Sequence, residues 1–529
     1  MSLKHRLILY FALVGILSTS LLAIVLNRSL SSDALEILQE GSQSQLIASR
    51  EQKRIQLENY FAQMRVQLSQ EAASNMVRNA ARDFIASFDE VKLDPTLVGT
   101  PDSRLESYYR DSFNQEFTRQ NQRSADWQGQ YAGMTGYAQY MQHHYIAANS
   151  HGLGEKHNLI RGTAFDAYDS HHQTYHEDFV RFLNAWGYYD VFIVNPQGDV
   201  VYSIYKELDY ATNLQTGPYA HSGLAEAYKK ALPLEVGKTV LTNFADYVPS
   251  YENDAAFLGT PIALNGQTLG VLIYQIPIDR INQIMTNNGK WKTVGMGDSA
   301  ETYLVGSDGN LISESRFFVE DPDGYFTALN NGGMESVVKV VMAKGSTVGV
   351  QPVNSPGVKD ALSGSSDFKE FADYRDVPVY SAYSPVKLGD GVQWALMSEI
   401  DVEEALRPSA VLESNQLYGT LGVMVIVVVI CIGVAWFLAI RLASPISQLA
   451  DIFDNISGGE GDLTQRVPKQ SVQELKAVGS GFNSFLELVE SIVQQINTSS
   501  DNLERLSATL EKTAMRTTAS TSAQKETTV

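Results

Sequence analysis

The residues best equipped for chemistry by type and spacing are the histidines of residues 166–178, DAYDSHHQTYHED. His172 and His176 stand four apart, so on a helix they share a face, with Tyr168 and Tyr175 close by. Two imidazoles at that spacing can supply two ligands to a metal ion. No third or fourth ligand is assignable, and the plainer alternative is a polar helix whose imidazoles are satisfied by hydrogen bonds. Elsewhere the sequence has no Walker A pattern, no HExxH and no GxSxG. Residues 295–298, GMGD, hold a lone glycine pair that reads as a loop between folded parts and not as a phosphate cradle. No catalytic residue, metal or cofactor is expected, and the protein is not expected to be an enzyme. Cys431 is the single cysteine, which excludes an intrachain disulfide and a cysteine-rich metal site within one chain.

The elements around these residues are sharply patterned. The 529 residues are 44% hydrophobic, enough for several folded cores, and the net charge of −20 argues against a nucleic-acid partner. Two uncharged apolar runs, residues 7–26 and 417–440, are each long enough to cross ~30 Å of hydrocarbon. A cleaved signal peptide is the alternative for the first run. Its length, the lack of a clear small-x-small site and the helical pattern directly beyond it favour a retained span. Lys4 and Arg6 precede the first run and Arg441 follows the second, so both ends are expected in the cytoplasm and the large middle outside.

Residues 27–87 carry apolar positions at helical spacing, among them Leu35, Leu46, Leu57, Phe61, Met64 and Leu68, and read as one long helix. Pro95, Gly99 and Pro101 end it, and more helical sequence follows to about residue 149. Strand-like runs then appear at 188–194 and 200–205, separated by the turn NPQGD, with later strands at 238–244, 256–262 and 268–276. The cycle repeats with strands at 301–305 and 311–315 about the turn GSDGN, and closing strands at 377–385 and 392–400. Two similar modules in tandem are implied. Beyond the second span, Leu475, Val478, Phe482, Phe485, Val489, Ile492 and Ile496 alternate three and four apart, a pattern that continues through Leu503, Leu506 and Leu510. One helix cannot bury such a seam, so a homodimer is expected.

These segments carry a family resemblance. Residues 441–496 resemble a HAMP domain, with Pro445 near the membrane, the connector GEGDLTQRV at 459–467 and QELKAVGSGFN at 473–483 in place of the family's DExG…FN signature. Gln473 and Lys476 depart from that signature, whereas Glu474, Phe482 and Asn483 fit it. Residues 187–214, 301–317 and the stretch ending at Leu406 are similar to the tandem Cache sensor of bacterial chemoreceptors. Residues 522–529, SAQKETTV, resemble the start of the methylation helix of methyl-accepting chemotaxis proteins.

The resemblance implies an α+β/α membrane receptor with a long N-terminal helix, tandem PAS-like Cache modules with antiparallel sheets, two transmembrane helices and a HAMP coiled coil. Its expected divisions are a cytoplasmic N-terminus (1–6), a span (7–26), a stalk helix and helical segment (27–159), a membrane-distal module (160–290), a membrane-proximal module (291–408), a second span (417–440), HAMP (441–496) and the start of a signalling helix (497–529), truncated before the signalling hairpin. By the same resemblance, a small molecule binds in the distal module. Tyr202, Tyr205, Lys206, Tyr219, Asp246 and Tyr247 are its candidate contacts, Lys206 for a carboxylate and Asp246 for an ammonium. The lid motif of amino-acid sensors is not legible; LQTGPYAHSGL stands at 214–224 instead. Pro445, Leu463, Glu474 and Phe482 are the implied relay residues. The signal is expected to reach a cytoplasmic chemotaxis kinase and its adaptor from a two-pass protein of the bacterial inner membrane, sensor outward. A histidine kinase or cyclic-nucleotide synthase fed by the same sensor is the alternative.

Overall fold

The computed structural model describes residues 3–94, 103–164, 166–458, 462–469 and 472–525. They form two units, residues 35–408 and residues 1–34 with 409–529.

The chain opens with a single helix, Leu3–Ala72. The expected continuation to residue 87 is interrupted, because Ser74 adopts an extended conformation and its hydroxyl accepts the Val77 amide, capping a new helix, Asn75–Leu93. This second helix buries Val77, Ala80, Ala81, Phe84, Phe88 and Val91, one continuous stripe. The breaking residues Pro95, Gly99 and Pro101 lie outside the described residues.

Two antiparallel sheets follow. The distal one contains β1 (Asp190–Val194), β2 (Val200–Ser203), β3 (Val240–Leu241), β6 (Phe257–Leu264) and β7 (Gln267–Gln275), in the order β2-β1-β7-β6-β3. Between β3 and β6 a separate hairpin is built from β4 (Ala245–Tyr247) and β5 (Asn253–Ala255). Asn265 and Gly266, both at positive φ (53° and 80°), make the tight turn joining β6 to β7. The proximal sheet is β8 (Glu301–Val305), β9 (Asp367–Ala372), β10 (Pro378–Gly389) and β11 (Val392–Asp401), in the order β8-β11-β10-β9.

The expected strand at 311–315 does not form. Leu311 makes one bridge to Val305 while its amide donates to the Gln351 carbonyl, and Ser315 then caps the helix Arg316–Glu320. β9 escaped the sequence pattern because it is a largely exposed edge strand on which Phe368 and Phe371 alone bring aromatic packing.

The stalk helix is fastened to both modules. Leu57, Phe61, Met64 and Leu68 enter one core with the distal sheet and with Val386, Trp394 and Leu396 of the proximal sheet. The Trp394 ring lies 5.4 Å from Phe61 and 5.6 Å from Phe244. Arg65 donates to Thr239 Oγ1 on the distal side and to the Leu388 carbonyl and Asp390 on the proximal side.

In the other unit, two helices are long and apolar enough to cross a membrane. Gly15 of the first is buried against Cys431 of the second, where an added Cβ would stand 2.8 Å from the sulfur. Ala435 and Ala439 continue that small-residue face, an arrangement that lets spans approach closely. The helix Val402–Leu438 then widens into a π-turn, Ala439–Ala443, directly before Pro445 in the first turn of Ser444–Ser457. The widened turn removes the conflict between the proline ring and the preceding helix.

Leu449, Val467, Phe482 and Leu486 form a small core with Leu463 at its edge, and the Phe482 ring lies 4.5 Å from Phe453. Glu474 is exposed in the first turn of the helix Gln473–Lys525. Residues 459–461, 470–471 and 526–529, which include part of the connector and of the tail resemblance, lie outside the described residues.

Candidate ligand site in the distal module

Where β2 ends, the chain turns sharply: Lys206 sits in the left-handed region at φ 57°, a conformation uncommon for a residue with a side chain. The turn and the residues after it carry Lys206, Glu207 and Asp209, of which Lys206 and Asp209 are buried and Glu207 is half-buried. Lys206 is buried, donates to the Ser203 carbonyl and lies 4.5 Å and 5.2 Å from the Tyr202 and Tyr210 ring centroids. Burial pulls its ammonium down to about 7, against the opposing pull of Asp190. Asp190, the first residue of β1, accepts the amides of Val191 and Ile204 at 2.6 Å and 2.9 Å. Burial and the nearby Asp209 push it up to about 8.

Glu207 accepts the Tyr189 hydroxyl at 3.0 Å and the Ser250 hydroxyl at 2.9 Å. Burial, then Asp209 and Asp190, raise it well above the ordinary carboxylate range. Asp209 accepts the Tyr247 hydroxyl through one oxygen and is pushed by burial to about 7. Its other oxygen, Oδ1, has no hydrogen-bond partner, and neither has the buried hydroxyl of Tyr219. Beside these acids lies a cavity of about 150 Å³ walled by Tyr108, Phe113, Tyr189, Tyr205 and Tyr251, with Glu207 on its lining. Tyr251 is itself at φ 60°, and its ring stacks on Phe113 at 5.3 Å. A small aromatic chamber beside buried acids with unused hydrogen-bonding capacity has the composition of a small-molecule site.

Residues 31–409 match the Cache domain family, and residues 437–491 match the HAMP domain. The chain belongs to the Cache domain family. It is similar to three methyl-accepting chemotaxis proteins of Pseudomonas aeruginosa. It is 23% identical to PctB over 262 residues, covering 49% of this chain and 35% of that protein. The identity to CtpM is 34% over 118 residues, covering 22% and 20%, and to TlpQ 26% over 286 residues, covering 53% and 36%. The chain thus spans between about a fifth and a third of the length of these curated relatives.

Within the Cache sensor, the six candidate contacts part company. Tyr205 and Lys206 line the cavity, Tyr205 stacking on Tyr189 at 5.7 Å. Tyr219 and Tyr247 are buried around Asp209. Tyr202 faces the helices Asn75–Leu93 and Ala167–Trp186 instead: its ring stacks on Phe84 of the first at 4.7 Å and its hydroxyl lies 2.7 Å from His176 Nδ1 of the second. Asp246 does not join the cavity. It stands on the exposed side of the β4–β5 hairpin, where Glu252, Lys344 and Asp308 are its charged neighbours. On this short strand Ala245 and Asp246 are exposed and Tyr247 alone is buried.

Glu207, which lines the cavity, and the buried Asp190 and Asp209 behind it are absent from the sequence-based set. Their signal was a charge inside the apolar run YYDVFIV and the close pair in KELD at the strand's end. The two histidines are committed elsewhere. His172 Nδ1 lies 2.8 Å from the Ile160 carbonyl and His176 Nε2 2.6 Å from the His157 carbonyl, so each of these nitrogens carries a proton. Their rings stack at 4.2 Å, and burial pulls His176 down to about 3. The Cache sensor's other acidic cluster, Glu301, Asp373 and Glu399 in the proximal module, is held by Tyr374, Arg375, Ser381 and Tyr303.

Proposed function

We propose that this protein is the sensing and relay part of a two-pass transmembrane chemoreceptor of the bacterial inner membrane, with the Cache sensor on the periplasmic side. A small molecule enters the distal cavity, contacting Tyr205, Glu207 and the acids behind it. The helix Val402–Leu438 carries the change from the proximal sheet into the second span. HAMP converts it into altered packing of a coiled coil formed with a second copy of the chain, which controls a cytoplasmic chemotaxis kinase through its adaptor. The observation that carries this reading is the sequence of parts: a Cache sensor bracketed by two spans and followed by HAMP, shared in part with methyl-accepting chemotaxis proteins. A ligand shifts such a system only by preferring one of its packings.

The test joins the whole chain to the cytoplasmic hairpin of a characterised chemotaxis receptor and measures kinase output in cells lacking their own receptors. Output that changes with an added nutrient extract, and loses that change in Glu207→Gln, supports the reading. Output that responds equally in wild type and Glu207→Gln overturns the distal site, and output insensitive to every extract overturns the receptor itself.

A further inference from the structure

We propose that the sensor holds a second ligand site, in the cleft between its two modules, which takes a small neutral polyhydroxylated molecule such as a monosaccharide or a cyclic polyol. The site is separate from the distal cavity, and the inference stands whether or not that cavity takes the stimulus.

The cleft has a volume of about 350 Å³, within the ~300–1,000 Å³ usual for small-molecule sites, against about 150 Å³ for the distal cavity. Both modules line it. Ser250, Asp254 of β5, Gln275 at the end of β7 and Asn282 of the helix Ile278–Met285 come from one side. Glu314 and Lys344, the last residue of the helix Glu335–Lys344, come from the other. The proximal backbone closes on the distal hairpin at Gly349, where an added Cβ would stand 2.8 Å from the Asp254 carboxyl carbon.

Gln275 distinguishes this cleft from a mere crevice. It is 3% exposed, yet its Oε1 has no hydrogen-bond partner. The Ser250 hydroxyl gives its proton to Glu207 at 2.9 Å and so accepts from Gln275 Nε2 at 3.3 Å, which leaves Oε1 as the unused end of the amide. A buried carbonyl oxygen is costly until a donor reaches it.

The opposite wall has donors to spare. Lys344 gives one of its three to the Glu252 carbonyl at 2.6 Å. Asn282 accepts the Glu314 amide through Oδ1 at 2.8 Å, so its Nδ2 is left to donate elsewhere. Burial, then Asp246 and Asp308, pushes Asp254 up to about 7, so near neutral pH its carboxyl both donates and accepts. Hydroxyl groups match such a wall, because each donates and accepts at once.

Charge disfavours the ionic alternatives. Lys344 already stands among Asp246, Glu252 and Asp254, and both Glu314 oxygens accept from Ser346 and Thr347. A ligand ammonium would meet Lys344, and a ligand carboxylate would meet Asp254 and Glu314. A neutral occupant bonded to Gln275 and Lys344 touches both modules, and its binding favours the packing that keeps them together.

The experiment is calorimetric titration of the full chain in lipid nanodiscs at neutral pH with D-ribose, D-glucose, D-galactose and myo-inositol, each alone, and with ethylamine and acetate as charged probes. At least one of the four neutral probes is expected to bind. Its affinity should fall tenfold or more in Gln275→Leu and in Lys344→Met, the latter at a half-buried helix end where folding is little affected. Four neutral probes without heat would overturn the class, and affinity unchanged in Lys344→Met would overturn the cleft. Affinity that falls in Tyr205→Leu and survives Gln275→Leu would place the molecule in the distal cavity and also overturn the cleft. Ethylamine or acetate binding more tightly than every neutral probe, and losing that binding in Gln275→Leu, would overturn the neutral class while keeping the cleft.

Discussion

Tyr202 is buried but is not among the residues that line the distal cavity. With His176 neutral and its Nε2 proton given to the His157 carbonyl, Nδ1 must accept, so the Tyr202 hydroxyl donates to it. Tyr202→Phe should leave that nitrogen unpartnered and cost about 1–3 kcal/mol of sensor stability. Urea unfolding followed by circular dichroism measures it, and the affinity of the folded variant for ligand should stay near wild type. Asp246 makes the complementary case. Because it is exposed on its hairpin, Asp246→Ala should change ligand affinity by less than about twofold, well under 1.4 kcal/mol.

The proximal acids carry a pH prediction. Burial pushes Glu301 to about 7 and Glu399 to about 8, both above their unfolded value near 4.5. The folded protein therefore holds protons that the unfolded chain has released, and stability falls as pH rises from about 4.5 through 8. The urea midpoint of wild type should drop between pH 5 and pH 8.5, and Glu399→Gln should flatten that drop. A steeper drop in the variant would reverse the assigned sign. The identities of these groups were plain in the sequence. Their roles were not, since a Tyr or Asp in a short strand faces ligand, core or solvent according to a register that one residue of slip inverts.

The loop GMGD is where elements meet. Gly297 takes φ 60°, and a Cβ there would stand 2.3 Å from Glu404 Oε1. The Glu404 carboxylate accepts the amides of Asp298 and Ser299 at 2.7 Å and 2.6 Å, tying the first turn of the helix Val402–Leu438 to the proximal module. Glu404→Ala should leave ligand affinity unchanged and weaken kinase control, read by titration and by the hybrid-receptor assay together. In HAMP, the Asn483 side chain bonds both the amide and the carbonyl of Val467, at 2.8 Å and 3.0 Å, clasping the connector to the second helix. Asn483→Ala should bias output more than Glu474→Lys, because Asn483 clasps the connector whereas Glu474 is exposed. At this scale the sequence was more informative. Strands β1, β2, β6, β7, β8, β10 and β11 were legible because buried strands concentrate apolar residues. β4, β5 and β9 were not, being short or exposed edge segments. The stalk's break at Ser74 was hidden because one capping hydroxyl, with no proline or glycine beside it, was enough to set it.

At the scale of the whole sensor, the shared core explains how one cavity can reach the membrane. Trp394 of the proximal sheet packs on Phe61 of the stalk and Phe244 of the distal module, joining the two sheets and the stalk in one core. Trp394→Ala is expected to cost about 3–5 kcal/mol and to separate the melting of the two modules in calorimetry. The measurement that bears most directly on ligand entry in the distal module is hydrogen exchange on the full chain in nanodiscs, with and without a nutrient extract that changes kinase output. Slowed exchange at residues 205–210 and 247–251, around Glu207, Asp209 and Tyr251, is the predicted result. Protection confined to the proximal sheet around Glu301, Asp373 and Glu399, with the distal segments unchanged, would contradict it.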